Sequence, residues 1–85
     1  MAVRKYQYVV EQAALEQIML WPDEELHRSA LAFARLADQP NLKPDLELPE
    51  FGGRRVSLHC FGFLTVTSWE DAPVKEIRIV AVARR

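Results

Sequence analysis

The sequence is poor in the residues that carry the simplest functional signatures. It holds a single cysteine, Cys60, so no internal disulfide forms and no cysteine cluster is available for zinc. Only two histidines, His27 and His59, are present, and nothing stands at zinc-ligand spacing from either. Three glycines, Gly52, Gly53 and Gly62, do not make a glycine-rich phosphate loop. No apolar run approaches the roughly 20 residues of a membrane-spanning helix. The N-terminal MAVRKYQYVV lacks the apolar core of a signal peptide. These absences predict a cytoplasmic protein with no metal, no cofactor, no membrane contact and one unpaired, half-buried thiol.

A strong charge of either sign is also missing. The net charge is −1 over 85 residues, which speaks against a dedicated nucleic-acid binder with a clearly basic domain. The balance is uneven along the chain. Residues 1–50 carry five basic and nine acidic side chains, whereas residues 51–85 carry six basic and three acidic ones. The basic second part suits phosphates or an acidic partner. The same charges also serve to solvate strand ends.

What is present is a sequence of one domain, 1–85, that is 49% hydrophobic, too apolar for disorder and long enough for one core. Residues 4–10 alternate at period two and predict a strand. From Glu11 to Leu20 the period becomes helical, with Ala14, Leu15, Ile18 and Met19 on one stripe. Trp21-Pro22 breaks that helix. Pro22 followed by Asp23, Glu24 and Glu25 opens a second one, acids complementing the positive end of its dipole. Its predicted stripe is Leu26, Ala30, Phe33, Ala34 and Ala37, with Leu31 and Leu36 beside it. Gln39-Pro40 ends it. Residues 39–53, with three prolines and two glycines, predict an irregular arm pinned by Leu42, Leu46, Leu48 and Phe51.

Residues 54–85 hold most of the β-forming side chains and organise the rest. They predict strands over 54–59, 63–69 and 74–83, with a hairpin at Cys60-Phe61-Gly62 and a turn at Glu70-Asp71-Ala72-Pro73. The last strand is apolar on both faces, as a central strand is. The expected fold is α+β, in the order β-α-α-β-β-β. A helical hairpin packs on a four-stranded, mostly antiparallel sheet, with the first strand beside the last.

Alternation places Arg55, Ser57 and His59 on one face of the second strand, where an arginine and a histidine offer phosphate binding and proton transfer. The competing reading is a strand-face histidine bonded to a neighbour or to water. Arg54, Arg55, Arg78, Arg84 and Arg85 predict a shared cationic surface, guanidinium groups suiting phosphate and carboxylate through bidentate bonds. They serve equally as solvated strand ends. On regular alternation Arg78 and Arg84 share a face and Arg85 is opposite. Trp69, at a strand end, is either a core anchor or a platform for a nucleic-acid base.

The order of elements and their landmarks resemble the RelE/ParE toxin superfamily of bacterial toxin–antitoxin systems. The second helix ends in Leu36-Ala37-Asp38-Gln39-Pro40, Gly53-Arg54-Arg55 enters the second strand, FGFLTVTSWED follows, and Val74 to Arg85 closes in a V-x-I-x-x-V-like strand with a terminal Arg pair. The resemblance spans nearly the whole chain. It implies a toxin that acts on a macromolecular target, ribosome-bound mRNA or DNA gyrase, and is neutralised by an antitoxin protein. A ribonuclease of this type needs no metal, and its catalytic groups would be His59, Arg55 and Arg85, with Arg54, Arg78, Arg84 and Trp69 binding. Leu64 stands where the ribonuclease branch carries a cation, which implies the alternative of a non-catalytic protein-binding module that keeps the fold. An exposed sheet face or edge also allows a homodimer.

Overall fold

The computed structural model describes residues 5–48 and 54–85. Its elements are β1 (Gln7–Val10), α1 (Gln12–Ile18), α2 (Asp23–Asp38), β2 (Leu46–Leu48), β3 (Val56–Phe61), β4 (Leu64–Asp71), a 3-10 turn (Ala72–Val74) and β5 (Glu76–Arg84). The sheet order is β1-β5-β4-β3-β2. β1 pairs parallel with β5, and every other pair is antiparallel. The α+β class, the helical layer on one face and the pairing of first strand with last agree with the sequence.

The sheet has five strands rather than four. Within the arm expected to be irregular, Leu46 and Leu48 alternate with Glu47 and pair with Leu58 and Val56 of β3. Three residues carry no period strong enough to read alone. The strand exists because the edge of β3 offers unpaired backbone groups. Asp45 extends the pairing, its N–H donating to the Leu58 carbonyl at 2.9 Å and its carboxylate accepting the Cys60 N–H at 2.7 Å. Phe51, Gly52 and Gly53, read as part of this arm, and Arg4, read as the start of β1, lie outside the described residues.

The β3–β4 connection is a two-residue loop, Gly62-Phe63, closed by the Phe61–Leu64 pair. Gly62 has φ +60°, which a glycine in the first central position of a hairpin loop adopts without strain. The β4–β5 connection ends on Lys75, also left-handed at φ 57°, its ammonium 5.0 Å from the centre of the Tyr6 ring.

The core lies between the helices and one face of the sheet. Ala14 and Ile18 of α1 and Ala32, Phe33 and Leu36 of α2 meet Leu64, Val66, Ile77, Ile79 and Val82. Ala14, Ile18, Phe33, Leu36 and Ala37 face the core as their stripes predicted, but part of each stripe does not. Leu15, Met19 and Leu31 are exposed, Leu31 by 57%, while Ser29 and Ala32 are buried. Small residues face the sheet because they let the helix backbone approach it, and Ser29 donates its hydroxyl to the Glu25 carbonyl at 2.8 Å, which satisfies it without a tertiary partner.

One irregularity decides which side chains reach which face. Thr67 pairs with Ala81, but Ser68 pairs with Ile79, so Val80 is an extra residue, a β-bulge. Ile77, Ile79 and Val82 consequently all face the core. The N–H of Val82 donates to Gln17 Oε1 of α1 at 2.9 Å, beyond the last β1–β5 pair at Val10–Ile79. Regular alternation put Arg78 and Arg84 on one face. The bulge separates them, and Arg84 joins the helix side. There its guanidinium carbon lies 4.8 Å from the centre of the Trp21 ring and a nitrogen lies 3.2 Å from Glu25 Oε2.

The Tyr6 hydroxyl donates to the Glu70 carboxylate. That hydrogen bond raises the Tyr6 pKa above its ordinary 10.0, with burial and the Glu70 charge adding to it. A raised pKa means the contact stabilises the fold below about pH 10 and is lost as the phenol ionises at higher pH. Tyr6→Phe is expected to lower the melting temperature slightly at pH 8, and the difference from the unmodified chain is expected to shrink above pH 10. A difference that grows with pH would show the opposite linkage.

Candidate functional site

β3 and β4 run side by side beneath the end of α2 and the segment that follows it. A cleft of about 570 Å³ lies against that segment (residues 40–44) and the two strands. Leu36, Leu42 and Ile77 give it apolar walls. Ser57 and His59 of β3 and Ser68 of β4 supply polar groups. Arg54, Arg55 and Trp69 also line it, with Glu47, Glu70 and Asp71.

Alternation along β3 brings Arg55, Ser57 and His59 to the same side, and the cross-strand pairs Ser57–Ser68 and His59–Val66 set their partners. His59 is only 6% exposed. Its Nε2 lies 3.0 Å from the Leu42 carbonyl. A carbonyl only accepts, so Nε2 carries the hydrogen and, in the neutral ring, Nδ1 keeps its lone pair. Among the described residues Nδ1 has no partner, although it is buried. The Phe61 ring lies 6.1 Å away and nearly parallel, which fixes the imidazole plane. The cleft therefore holds a buried hydrogen-bond acceptor that no described residue of the chain engages.

Trp69 alternates with Ser68, so its indole lies on the sheet face opposite His59. Its Nε1–H, an obligate donor, is buried and unpartnered among the described residues. The Arg54 guanidinium carbon lies 4.3 Å from the Trp69 ring centre, and that of Arg78, its cross-strand neighbour, 5.9 Å. Arg78 is further held by Glu11 at 3.1 Å and Glu76 at 2.9 Å. The hydrogen bond to Glu11, the largest influence, raises its pKa, Glu76 adding to the rise against burial. Arg78 is thereby fixed as a permanent, internally neutralised cation.

The five arginines do not form one surface. Arg54 and Arg78 flank Trp69. Arg55 is exposed and lines the cleft. Arg84 lies on the helix side with Trp21 and Glu25. Arg85 is tied to the hairpin loop, its backbone N–H donating to the Phe63 carbonyl at 2.6 Å and its guanidinium to the Gly62 carbonyl at 3.1 Å. Of the three candidate catalytic residues, the structure brings Arg55 and His59 to the cleft and leaves Arg85 at the hairpin loop, outside its lining. His27 is exposed on α2. Cys60 is half-buried and unpaired. No group of three or more His, Cys, Asp or Glu among the described residues is placed to hold a metal, and no helix among them is long and apolar enough to cross a membrane.

The fold is found in known proteins. The chain superposes on one from the toxin–antitoxin complex RelBE2 of Mycobacterium tuberculosis with a TM-score of 0.75, over 96% of this chain and 100% of that one, at 21% identity. One from the archaeal RelE–RelB complex of Pyrococcus horikoshii OT3 gives 0.72, over 96% and 97%, at 18% identity. The chain has the RelE fold. No protein-family model matches the sequence, and no curated protein does. At 18–21% identity the likeness is one of architecture. On this RelE fold the sequence reading missed Ser68 and Leu42 as members of the cleft. Ser68 follows from the alternation of Thr65, Thr67 and Trp69 on the other face. Leu42 has no such signal, because its part is played by a backbone carbonyl.

Proposed function

We propose that this chain is the toxin of a toxin–antitoxin pair, which engages a macromolecular target through the cleft and is held inactive by an antitoxin protein. The observation that carries this reading is the RelE fold, matched over 96% of the chain to proteins found in toxin–antitoxin complexes. The target is ribosome-bound mRNA or DNA gyrase. Binding rather than cleavage is the first mode of action. Leu64, at the strand position where the ribonuclease branch carries a cation, is 1% exposed and part of the core. Arg78 and Arg84 are both engaged by carboxylates of the same chain.

Cleavage of RNA is the second reading, favoured by the bare Nδ1 of His59. In that reaction the 2′-oxygen bonds to the adjacent phosphorus as its proton passes to Nδ1, and the 5′-oxygen departs, taking its proton from water. Arg55 opposes the charge on the phosphoryl oxygens. Arg85 is too far along the hairpin to share the cleft, and a role for it requires a target that reaches the loop.

Induced expression in a growing bacterial culture tests the proposal. Arrest relieved by co-expression of the cognate antitoxin is expected. Unimpaired growth with folded, soluble protein would overturn the toxin reading in favour of a non-catalytic binding module with the same fold. RNA-cleavage and gyrase assays on the purified chain then separate the targets.

A further inference from the structure

The two outer strands of the sheet present different edges. β2 is three residues long, carries Glu47 at its centre and follows Pro44 and Asp45, a short, charged form that discourages a further strand. β1, the last strand on the other side, has none of these devices. Gln7–Val10 holds no charge and no proline, and its pairing with β5 has no bulge. The Gln7 N–H donates to the Lys75 carbonyl and the Glu11 N–H to the Ile79 carbonyl. Backbone groups alternate in direction along a strand. Those of Gln7, Val9 and Glu11 therefore point to β5, and those of Tyr6, Tyr8 and Val10 point away from it. On the helix side α2 does not close this edge. A groove of about 360 Å³ lies between Tyr6 and Tyr8 of β1 and Ala34, Ala37 and Asp38 of α2. Tyr8 is 39% exposed, although its ring centre lies 5.6 Å from that of Phe33.

We propose that the β1 edge binds a second copy of this chain, the two β1 strands pairing antiparallel into one continuous sheet about a two-fold axis at Tyr8. The edge is self-complementary in that register. Tyr8 faces Tyr8 of the second copy and Tyr6 faces its Val10, each through backbone groups that point outward, so both are hydrogen-bonded pairs. The second Tyr8 ring, on the helix side, covers the mouth of the groove beside the first. Lys5 stands opposite Glu11 on the other face, and the two-fold axis repeats that ion pair. Glu11 Oε2 accepts from Arg78 at 3.1 Å, which leaves the second carboxylate oxygen for Lys5. A register shifted by two residues separates Lys5 from Glu11. This match of charge and of backbone direction within one short strand favours a second copy over an unrelated extended peptide.

The purified full chain is followed by sedimentation velocity from micromolar to millimolar concentration, and by amide hydrogen exchange at both ends of that range. A monomer–dimer equilibrium is expected. The Tyr8 and Val10 amides, which have no strand beside them in the monomer, are expected to exchange at least about tenfold more slowly at the upper end. Lys5 is exposed and forms no ion pair among the described residues, so Lys5→Glu leaves the fold of one copy intact. It replaces two attractions across the axis with two repulsions and is expected to weaken the dimer about tenfold. A chain that stays monomeric at millimolar concentration overturns the inference. So does a dimer whose Tyr8 and Val10 amides exchange at the monomer rate, or one that Lys5→Glu leaves equally tight. The toxin reading is tested separately: a monomer that arrests growth loses this inference alone, and a dimer that leaves growth unimpaired loses only the toxin reading.

Discussion

Replacing Ile79 with alanine is expected to destabilise the fold by about 2–5 kcal/mol, the range for truncating a buried Ile, Leu or Met. The upper half of that range applies here. Ile79 is 0% exposed, lies on β5 between β1 and β4, and pairs with Val10 on one side and Ser68 on the other. Hydrogen-bonded strands on both sides limit how far the backbone can collapse into the space left behind. A domain of this size carries about 4–13 kcal/mol in total, at ~0.05–0.15 kcal/mol per residue, so the loss is a large share. The melting temperature, followed by circular dichroism, is expected to fall by about 10 °C or more. Leu31→Ala, on the outer side of α2, is expected to stay within about 0.5 kcal/mol. If the two variants melt alike, the core is not where the structure places it.

The second large effect is functional. Reversing both arginines of the cleft, Arg54→Glu with Arg55→Glu, is expected to abolish growth arrest and to weaken target binding by about a hundredfold or more. Charge-assisted hydrogen bonds contribute about 1.5–3 kcal/mol each, and reversal adds repulsion from a cleft already lined by Glu47, Glu70 and Asp71. Stability is expected to change little, because both residues are exposed and neither forms an ion pair among the described residues. Arg54 gives up its stacking on Trp69, which costs about 0.5–1 kcal/mol at an exposed site. Arrest that persists at full strength in a folded double variant would show that the cleft does not meet the target.

The pattern of what could be read along the chain follows the range of the interactions. α2 was legible because its signals are local: Pro22, three acids in the first turn, then apolar residues at helical spacing. Which of those apolar residues turn inward was not. The sheet beneath α2 selects Leu26, Ser29, Phe33 and Leu36 and leaves Leu31 exposed. β2 was illegible for the opposite reason, since three residues at an edge owe their strand geometry to β3. His59 was singled out by its place beside Arg55 on an alternating strand. Its state was not, because the Leu42 carbonyl that fixes its tautomer lies 17 residues away in sequence. The arginines at the end of β5 were misplaced by one unreadable event, the bulge at Val80, which changes the face of every residue after it.

The sequence alone determined the class of the fold, the order of its elements apart from β2, the central place of the last strand and the pairing of Arg55 with His59 on one side of a strand. These depend on periodicity, turn chemistry and hydrophobic content, all properties of near neighbours. Tertiary structure alone decided that Arg78 and Arg84 serve opposite faces, that Arg85 stays at the hairpin loop, and that the Leu42 carbonyl meets the His59 ring. Those outcomes depend on register, on a bulge and on backbone groups distant in the chain. A one-residue change in pairing there costs little locally but inverts which side chains meet.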